Sequence, residues 1–127
     1  MKITALETIQ VEEFGNVVWV RLLTDQGLVG LGETFRNPQA TIAYLHETCA
    51  PYLLGKDPLQ RDRHWNHLFR MPRLALGKTM EIRALAALDV ALWDLYGRAV
   101  QQPVYQLLGG ATRDQIRVYN TLSLIHI

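Results

Sequence analysis

The sequence has few of the features that point to disulfides, membranes or nucleic acids. Cys49 is the only cysteine in 127 residues, so no disulfide can form within the chain, and we expect a reducing, cytoplasmic setting. No apolar run approaches the roughly 18 residues that a membrane span needs, and Met1-Lys2 opens no secretory signal. A net charge of +1 offers no basic surface. We therefore expect no nucleic-acid partner and no membrane partner.

What is present is the composition of a soluble globular domain. Hydrophobic residues make up 49% of the chain, enough for one compact domain with its own core. Cys49 is predicted to be a small core residue rather than a reactive thiol.

The first third of the chain alternates polar and apolar residues as β-strands do. The alternation predicts strands over residues 2–11, 17–24 and 28–33, with a tight turn at Gly27 before the third strand. Gly30 and Gly32 weaken the third strand, which predicts that another backbone approaches closely there. The sheet should be an antiparallel meander.

Helical patterns follow the sheet. Asn37 as N-cap and Pro38 at the first helical position predict a helix that runs to about Tyr52. Gly55 is predicted as its C-cap and Asp57 as the N-cap of the next helix.

The second predicted helix covers residues 59–70, and a loop is predicted over 71–78. Four residues of this helix are expected to point inward: Leu59, Trp65, Leu68 and Phe69.

The longest predicted helix covers residues 79–100. Its apolar residues recur at helical spacing, and its alanines widen the apolar face, so burial on more than one side is expected. A short helical turn should follow Pro103, and residues 116–121 are predicted to be a strand. These patterns indicate an α+β fold, a three-stranded antiparallel meander followed by a helical bundle.

Residues 84–110 carry a much more specific pattern. They read ALAALDVALWDLYGRAVQQPVYQLLGG, and this stretch resembles the signature of the mandelate racemase / muconate lactonizing enzyme family of the enolase superfamily. Its small residues, its two acids, its Gly-Arg pair and its Leu-Leu-Gly ending all match: Ala84, Ala86, Ala87, Ala91, Asp89, Asp94, Gly97, Arg98, Pro103, Val104, Leu107, Leu108 and Gly109. Residues 29–33 and 117–121 resemble the family's third strand and first barrel strand.

The resemblance implies a domain organisation. Residues 1–114 would be the N-terminal capping domain, and residues 115–121 the first strand of a catalytic (β/α) barrel that the chain otherwise lacks. Residues 122–127 do not resemble the family and would be a non-native tail at a truncated or misread gene end. A barrel needs about 200 residues or more, which is far more than remains.

The same resemblance implies the chemistry of the intact enzyme. Family members abstract the proton next to a carboxylate, and Mg²⁺ stabilises the resulting charge. The intact protein would be an acid-sugar dehydratase that acts on a small carboxylate and forms a homo-oligomer. Racemase or cycloisomerase activity, or a non-catalytic domain that only binds a partner chain, are the alternatives.

The catalytic acids, bases and metal ligands of the family lie on later barrel strands. This chain has no Lys-x-Lys pair, and we expect it to bind no Mg²⁺ and to be inactive by itself. We therefore assign no catalytic residue and no metal ligand in it.

Two loops are the candidate substrate-binding elements. In the family, loops at residues 12–16 and 34–37 fold over the barrel mouth, and Phe14, Phe35 and Arg36 are residue types suited to such a lid.

Other polar residues have simpler explanations. Asp89 and Asp94 lie about 140° apart on a helix and should not share an ion, and Asp89 should make a structural hydrogen bond or ion pair. The histidines are expected to be surface or packing residues.

Overall fold

The computed structural model describes residues 1–71 and 80–119 and begins with a three-stranded antiparallel sheet. Its strands are β1 (Ile3–Ile9), β2 (Val17–Thr24) and β3 (Val29–Phe35), in the order β1-β2-β3. The predicted meander is confirmed. The first strand ends two residues earlier than predicted, and the third extends two residues further, to Phe35.

One face of the sheet carries the core. Alternate residues of β2 are buried, with Val18, Val20 and Leu22 fully shielded from solvent. Side chains alternate between the two faces of a strand, so the other face of β2 carries the partly exposed Trp19 and Arg21.

The longest helix, α4 (Met80–Val100), packs across this buried face and against β3. A Cβ atom on Gly32 would overlap the carbonyl of Ala87, and one on Gly30 would overlap the carbonyl of Ala91. The close backbone approach predicted from these two glycines is confirmed. It brings the backbone of α4 into close contact with the backbone of β3 at these two glycines.

The helical stretch after the sheet is continuous but irregular. It consists of α1 (Pro38–Tyr44), a π-helical segment (Leu45–Cys49) and α2 (Ala50–Leu53). Pro51 has no N–H to donate within a regular helix, so the wider π turn that precedes it accommodates the missing bond.

The predicted role of Asn37 is correct in position but wrong in detail. Asn37 is the N-cap residue of α1, yet its backbone is left-handed with φ of 48°, and its side chain makes no cap hydrogen bond. An N-cap side chain normally reaches the helix from an extended backbone. With the left-handed backbone, the Asn37 side chain does not cap the helix, and its amide nitrogen lies against the Met80 sulfur.

The segment between α2 and the next helix begins as predicted. Gly55 has φ of 78° after the end of α2, as a C-terminal glycine should. This segment also bonds to the start of β1: the Gly55 N–H donates to the Ile3 carbonyl at 2.8 Å, and the Ile3 N–H donates to the Lys56 carbonyl at 2.9 Å.

The second predicted helix starts later than its sequence pattern indicated. Helix α3 covers Arg61–Phe69 with Gln60 as N-cap, so the predicted cap at Asp57 and the inward position of Leu59 are wrong. The Asp57 carboxylate instead accepts the Leu59 N–H at 3.1 Å, which closes a local turn and leaves Leu59 41% exposed. Leu68 is buried, and Trp65 and Phe69 pack against the core as predicted.

The predicted properties of α4 are confirmed from Met80 onward. Eight of its residues are buried and together cover more than one side of the helix: Ala84, Leu85, Ala87, Leu88, Ala91, Leu92, Leu95 and Gly97. Apart from Met71, the loop predicted over 71–78 lies outside the described residues. The same holds for Thr79, for the last two residues of the predicted strand (Asn120 and Thr121) and for the tail at 122–127.

The helix ends in a Schellman motif. The Gln102 N–H donates to the Gly97 carbonyl and the Gln101 N–H to the Arg98 carbonyl, with Gln101 at φ of 54°. The short helix α5 (Val104–Leu107) follows as predicted after Pro103.

The described end of the chain departs from the predicted strand. Residues 115–119 are in no strand, and their apolar side chains Ile116 and Val118 are exposed. A strand forms only where a neighbouring strand accepts its hydrogen bonds, and no strand of the described sheet pairs with this segment. The division at residues 114 and 121 stays a prediction.

Candidate functional site

The two predicted lid loops meet at one end of the sheet. The first loop contains a short 3₁₀ helix (Glu12–Phe14) between β1 and β2, and the second follows β3. Val17 pairs with Phe35 where β2 begins and β3 ends, and the Arg36 N–H donates to the Asn16 carbonyl at 2.8 Å. The antiparallel pairing therefore places both loops side by side.

Phe14 is held in an exposed position on the first loop. Its side chain is 60% exposed and its ring packs edge-on against Trp19, with the centroids 6.2 Å apart. Gln10 bridges the two ends of this loop, since its amide nitrogen donates to the Gly15 carbonyl at 2.6 Å. The side chain of Gln39, on α1, donates to Gln10 in turn at 3.0 Å.

Phe35 and Arg36 form the tip of the second loop. The Phe35 side chain is 53% exposed, and the Arg36 guanidinium lies over its ring, 5.5 Å from the centroid. Arg36 and Asn37 both have positive φ, at 68° and 48°. Non-glycine residues in this region cost about 1–3 kcal/mol each, so the surrounding contacts must hold the loop in place.

Arg83 provides two of those contacts and was missed by the sequence reasoning. Its Nη1 donates to the Phe35 carbonyl at 3.0 Å, and its guanidinium carbon lies 5.0 Å from the centroid of the Phe35 ring. Nearby, the Asn37 amide nitrogen lies 3.4 Å from the Met80 sulfur. The second loop is thus fastened to the first turns of α4.

The two strand glycines allow Arg83 to be placed once the register of α4 on β3 is known. Gly30 lies against Ala91 and Gly32 against Ala87, so two strand residues correspond to four helix residues. About 6.6 Å of strand indeed matches about 6 Å of helix. Continuing this spacing places residue 83 opposite the end of β3. The step needs the antiparallel crossing of α4 and β3, which the periodicity of α4 alone does not give.

The exposed apolar rings and the cation at this end of the sheet could cover a polar ligand. Phe14 and Phe35 present apolar surface, and the Arg36 guanidinium makes no ion pair within the described ranges 1–71 and 80–119. Rings of this kind exclude water, and a fixed guanidinium recognises anionic or hydroxyl-rich groups.

Asp89 and Asp94 have separate partners, as predicted. Asp89 lies 3.7 Å from Arg61 of α3, whose guanidinium stacks on Trp93 at 3.5 Å from the ring centroid. Burial raises the pKa of Asp89, while the Arg61 charge opposes that shift. Asp94 instead accepts the Leu31 N–H, so the two acids have different structural roles.

His64 and His67 are packing residues. His64 is buried, with Nε2 at 2.8 Å from the Asp57 carbonyl and Nδ1 at 3.2 Å from the Tyr52 hydroxyl. Because a carbonyl only accepts, Nε2 carries the proton and Nδ1 accepts from Tyr52. His67 stacks on the Tyr52 ring, with the centroids 3.9 Å apart.

The described residues offer no cluster of protein ligands for a metal ion. Over 1–71 and 80–119, no group of three or more His, Cys, Asp or Glu side chains is placed to hold a metal. Mg²⁺ prefers several oxygen ligands in octahedral geometry. In the same ranges, no helix is long and apolar enough to cross a membrane.

The comparison with known families identifies the domain. The model for the mandelate racemase / muconate lactonizing enzyme N-terminal domain matches residues 3–109. The chain belongs to this family, and its sheet followed by helices is the enolase-superfamily N-terminal capping domain.

Similar proteins include acid-sugar dehydratases. A D-galactonate dehydratase family member from Streptomyces bingchenggensis is 39% identical over 123 residues, which are 95% of this chain and 30% of that protein. The D-mannonate dehydratase from Novosphingobium aromaticivorans is 40% identical over 121 residues, or 94% and 30%.

A solved structure agrees with this result. An enolase of the mandelate racemase subgroup from Agrobacterium tumefaciens superposes with a TM-score of 0.87 and 46% identity, over 94% of this chain and 32% of that one. The chain thus spans about a third of the length of the proteins it resembles.

Proposed function

We propose that this chain is the capping domain of a Mg²⁺-dependent acid-sugar dehydratase, and that its two loops cover the substrate. The intact enzyme would remove the proton next to the carboxylate of an acid sugar and release water. The observation that carries the proposal is the match to D-galactonate and D-mannonate dehydratases along almost the whole of this chain.

The geometry of the loops supports a covering role. The rings of Phe14 and Phe35 are exposed, although Trp19 packs against the first and Arg83 lies over the second. The Arg36 guanidinium also lies over the Phe35 ring. In an intact enzyme, the rings would exclude water from the barrel mouth. Arg36 would bind the hydroxyl-rich or anionic end of the acid sugar, away from the reacting carboxylate.

The chemical step would use residues outside this chain. Because the chain belongs to the enolase-superfamily capping domains, we propose that the metal ligands, the base and the acid lie on a catalytic barrel. By itself the chain would have no group that contacts the reacting carbon of the substrate. We propose that it is inactive alone, and that the intact enzyme is cytoplasmic and homo-oligomeric.

Racemase or cycloisomerase activity is the alternative enzymatic reading, because the matching family is named for both activities. Dehydratase activity is preferred because the similar proteins are a D-galactonate dehydratase family member and a D-mannonate dehydratase.

A fusion tests the proposal. This chain would replace the corresponding N-terminal segment of the Novosphingobium D-mannonate dehydratase, which it matches at 40% identity. The fusion is expected to dehydrate at least one acid sugar in the presence of Mg²⁺, with D-mannonate and D-galactonate assayed first. The natural dehydratase and its barrel without any cap are the controls. A fusion that melts cooperatively but dehydrates no acid sugar would overturn the proposal.

A further inference from the structure

We propose that Arg83 is a positioning residue that fixes the Phe35–Arg36 tip of the second lid loop for substrate binding. The inference rests on the covering role proposed above for that loop. Arg83 lies on the first turns of α4, half-buried, and reaches the loop across the sheet edge.

The loop needs an external support. Arg36 and Asn37 are consecutive residues with positive φ, and neither is glycine. Such a pair relaxes unless other elements hold it. The Arg36 N–H to Asn16 carbonyl bond constrains the loop on the side toward β2, and the Asn37 amide contacts Met80 of α4.

Arg83 constrains the opposite side through two different interactions. Its Nη1 donates to the carbonyl of Phe35, the residue before the strained pair, at 3.0 Å. The same guanidinium lies over the Phe35 ring, 5.0 Å from its centroid, which restricts the ring itself. One side chain thus fixes both the backbone and the side chain of Phe35.

The position of Arg36 follows from this arrangement. Arg36 lies over the same Phe35 ring at 5.5 Å. If the ring moves, the cation that faces the substrate moves with it. Two cations beside one ring repel each other, so the Arg83 bond to the Phe35 carbonyl is needed to keep the arrangement.

Hydrogen exchange on the chain tests the anchor independently of any enzymatic function. The Arg36 amide should exchange at least about tenfold faster in Arg83→Met, because loss of the anchor raises the population of local openings. Arg83→Lys, which keeps a cation and a donor, should lie between Arg83→Met and the parent chain. Arg63→Met is the matched control, since within residues 1–71 and 80–119 the Arg63 side chain donates only to Gln60, the N-cap residue of α3.

The outcomes separate the two proposals. An unchanged Arg36 amide in Arg83→Met, with the variant folded by circular dichroism, would overturn the role of Arg83 whatever the fusion does. In the active fusion, Arg83→Met should raise KM about threefold to tenfold with little change in kcat, and Arg83→Lys should restore part of the loss. Faster exchange with unchanged KM would also overturn the positioning role. A fusion without activity would contradict the proposed function and leave the exchange result to decide on Arg83.

Discussion

The carboxylate of Asp94 accepts a hydrogen bond from the backbone N–H of Leu31 at 2.9 Å, and so satisfies one outward N–H at an edge of the sheet. Leu31 lies on β3, the edge strand, where an outward N–H has no strand partner. Arg98, one helical turn further along α4, holds the same carboxylate oxygen at 3.0 Å. The hydrogen bond between Asp94 and Leu31 therefore connects α4 to β3, the strand that precedes the second lid loop.

Removal of the Asp94 carboxylate should destabilise the domain. Asp94→Ala leaves the Leu31 N–H without its acceptor, and we expect a loss of about 1–2 kcal/mol in the free energy of unfolding. Asp94→Asn keeps an acceptor oxygen and should lose less. Urea unfolding followed by circular dichroism measures both. Asp114→Ala, at an exposed acid, is the control, and an equal loss there would contradict the assigned role.

A methyl group at Gly32 should be much more damaging. The Cβ of Gly32→Ala would overlap the Ala87 carbonyl, so α4 would have to move away from β3. We expect a loss of at least about 3 kcal/mol, or failure to fold. Gly15→Ala is the matched control, because its φ is −54° and its nearest contact is the Glu12 carbonyl at 3.7 Å. Wild-type stability for Gly32→Ala in urea would show that the helix does not approach the strand this closely.

Stability should fall in mild acid because of His64. Burial lowers the pKa of His64 below its ordinary value of 6.5. The unfolded chain then binds more protons than the folded one below about pH 6.5, so acid favours unfolding. The free energy of unfolding should fall by up to about 1.4 kcal/mol per pH unit between pH 6.5 and the lower folded-state pKa.

Urea titrations at pH 7.5, 6.5 and 5.5 measure this effect. His64→Gln removes the titrating group and should flatten this part of the pH dependence, whereas His46→Gln, which changes an exposed histidine, should keep it. The same slope in both variants would assign the acid sensitivity to another group.

Cys49 should resist labelling while the chain is folded. Its side chain is fully buried, and burial raises the pKa of its thiol to about 12, so little thiolate forms at neutral pH. A disulfide reagent such as Ellman's reagent should react slowly in buffer and rapidly in urea. Rapid reaction in buffer would contradict the core position of Cys49.

The sequence predicted the sheet, the long helix and the close approach at Gly30 and Gly32, because period-2 alternation and glycine in a strand have direct geometric consequences. The prediction for the start of α3 was wrong, because the helix begins at Arg61 and not at Leu59. Asp57 and Pro58 are typical of both a helix start and a turn, and the local carboxylate bond to Leu59 selected the turn.

The candidate site was only partly predictable for a related reason. Phe14, Phe35 and Arg36 were identified from their positions in the resemblance, but the support of the loop by Arg83 arises from the crossing of α4 over β3. Contacts between residues 48 positions apart depend on that tertiary crossing, which no local pattern specifies. The left-handed Asn37 was missed because an asparagine before proline also fits an ordinary cap.

The most direct test of the central claim is an assay of the purified 127-residue chain with Mg²⁺ against a panel of acid sugars, together with a calorimetric Mg²⁺ titration. Because the proposed function assigns the reacting groups to a catalytic barrel, the chain should show no dehydratase, racemase or cycloisomerase turnover and no tight Mg²⁺ binding. Reproducible turnover that persists through repurification would contradict the account.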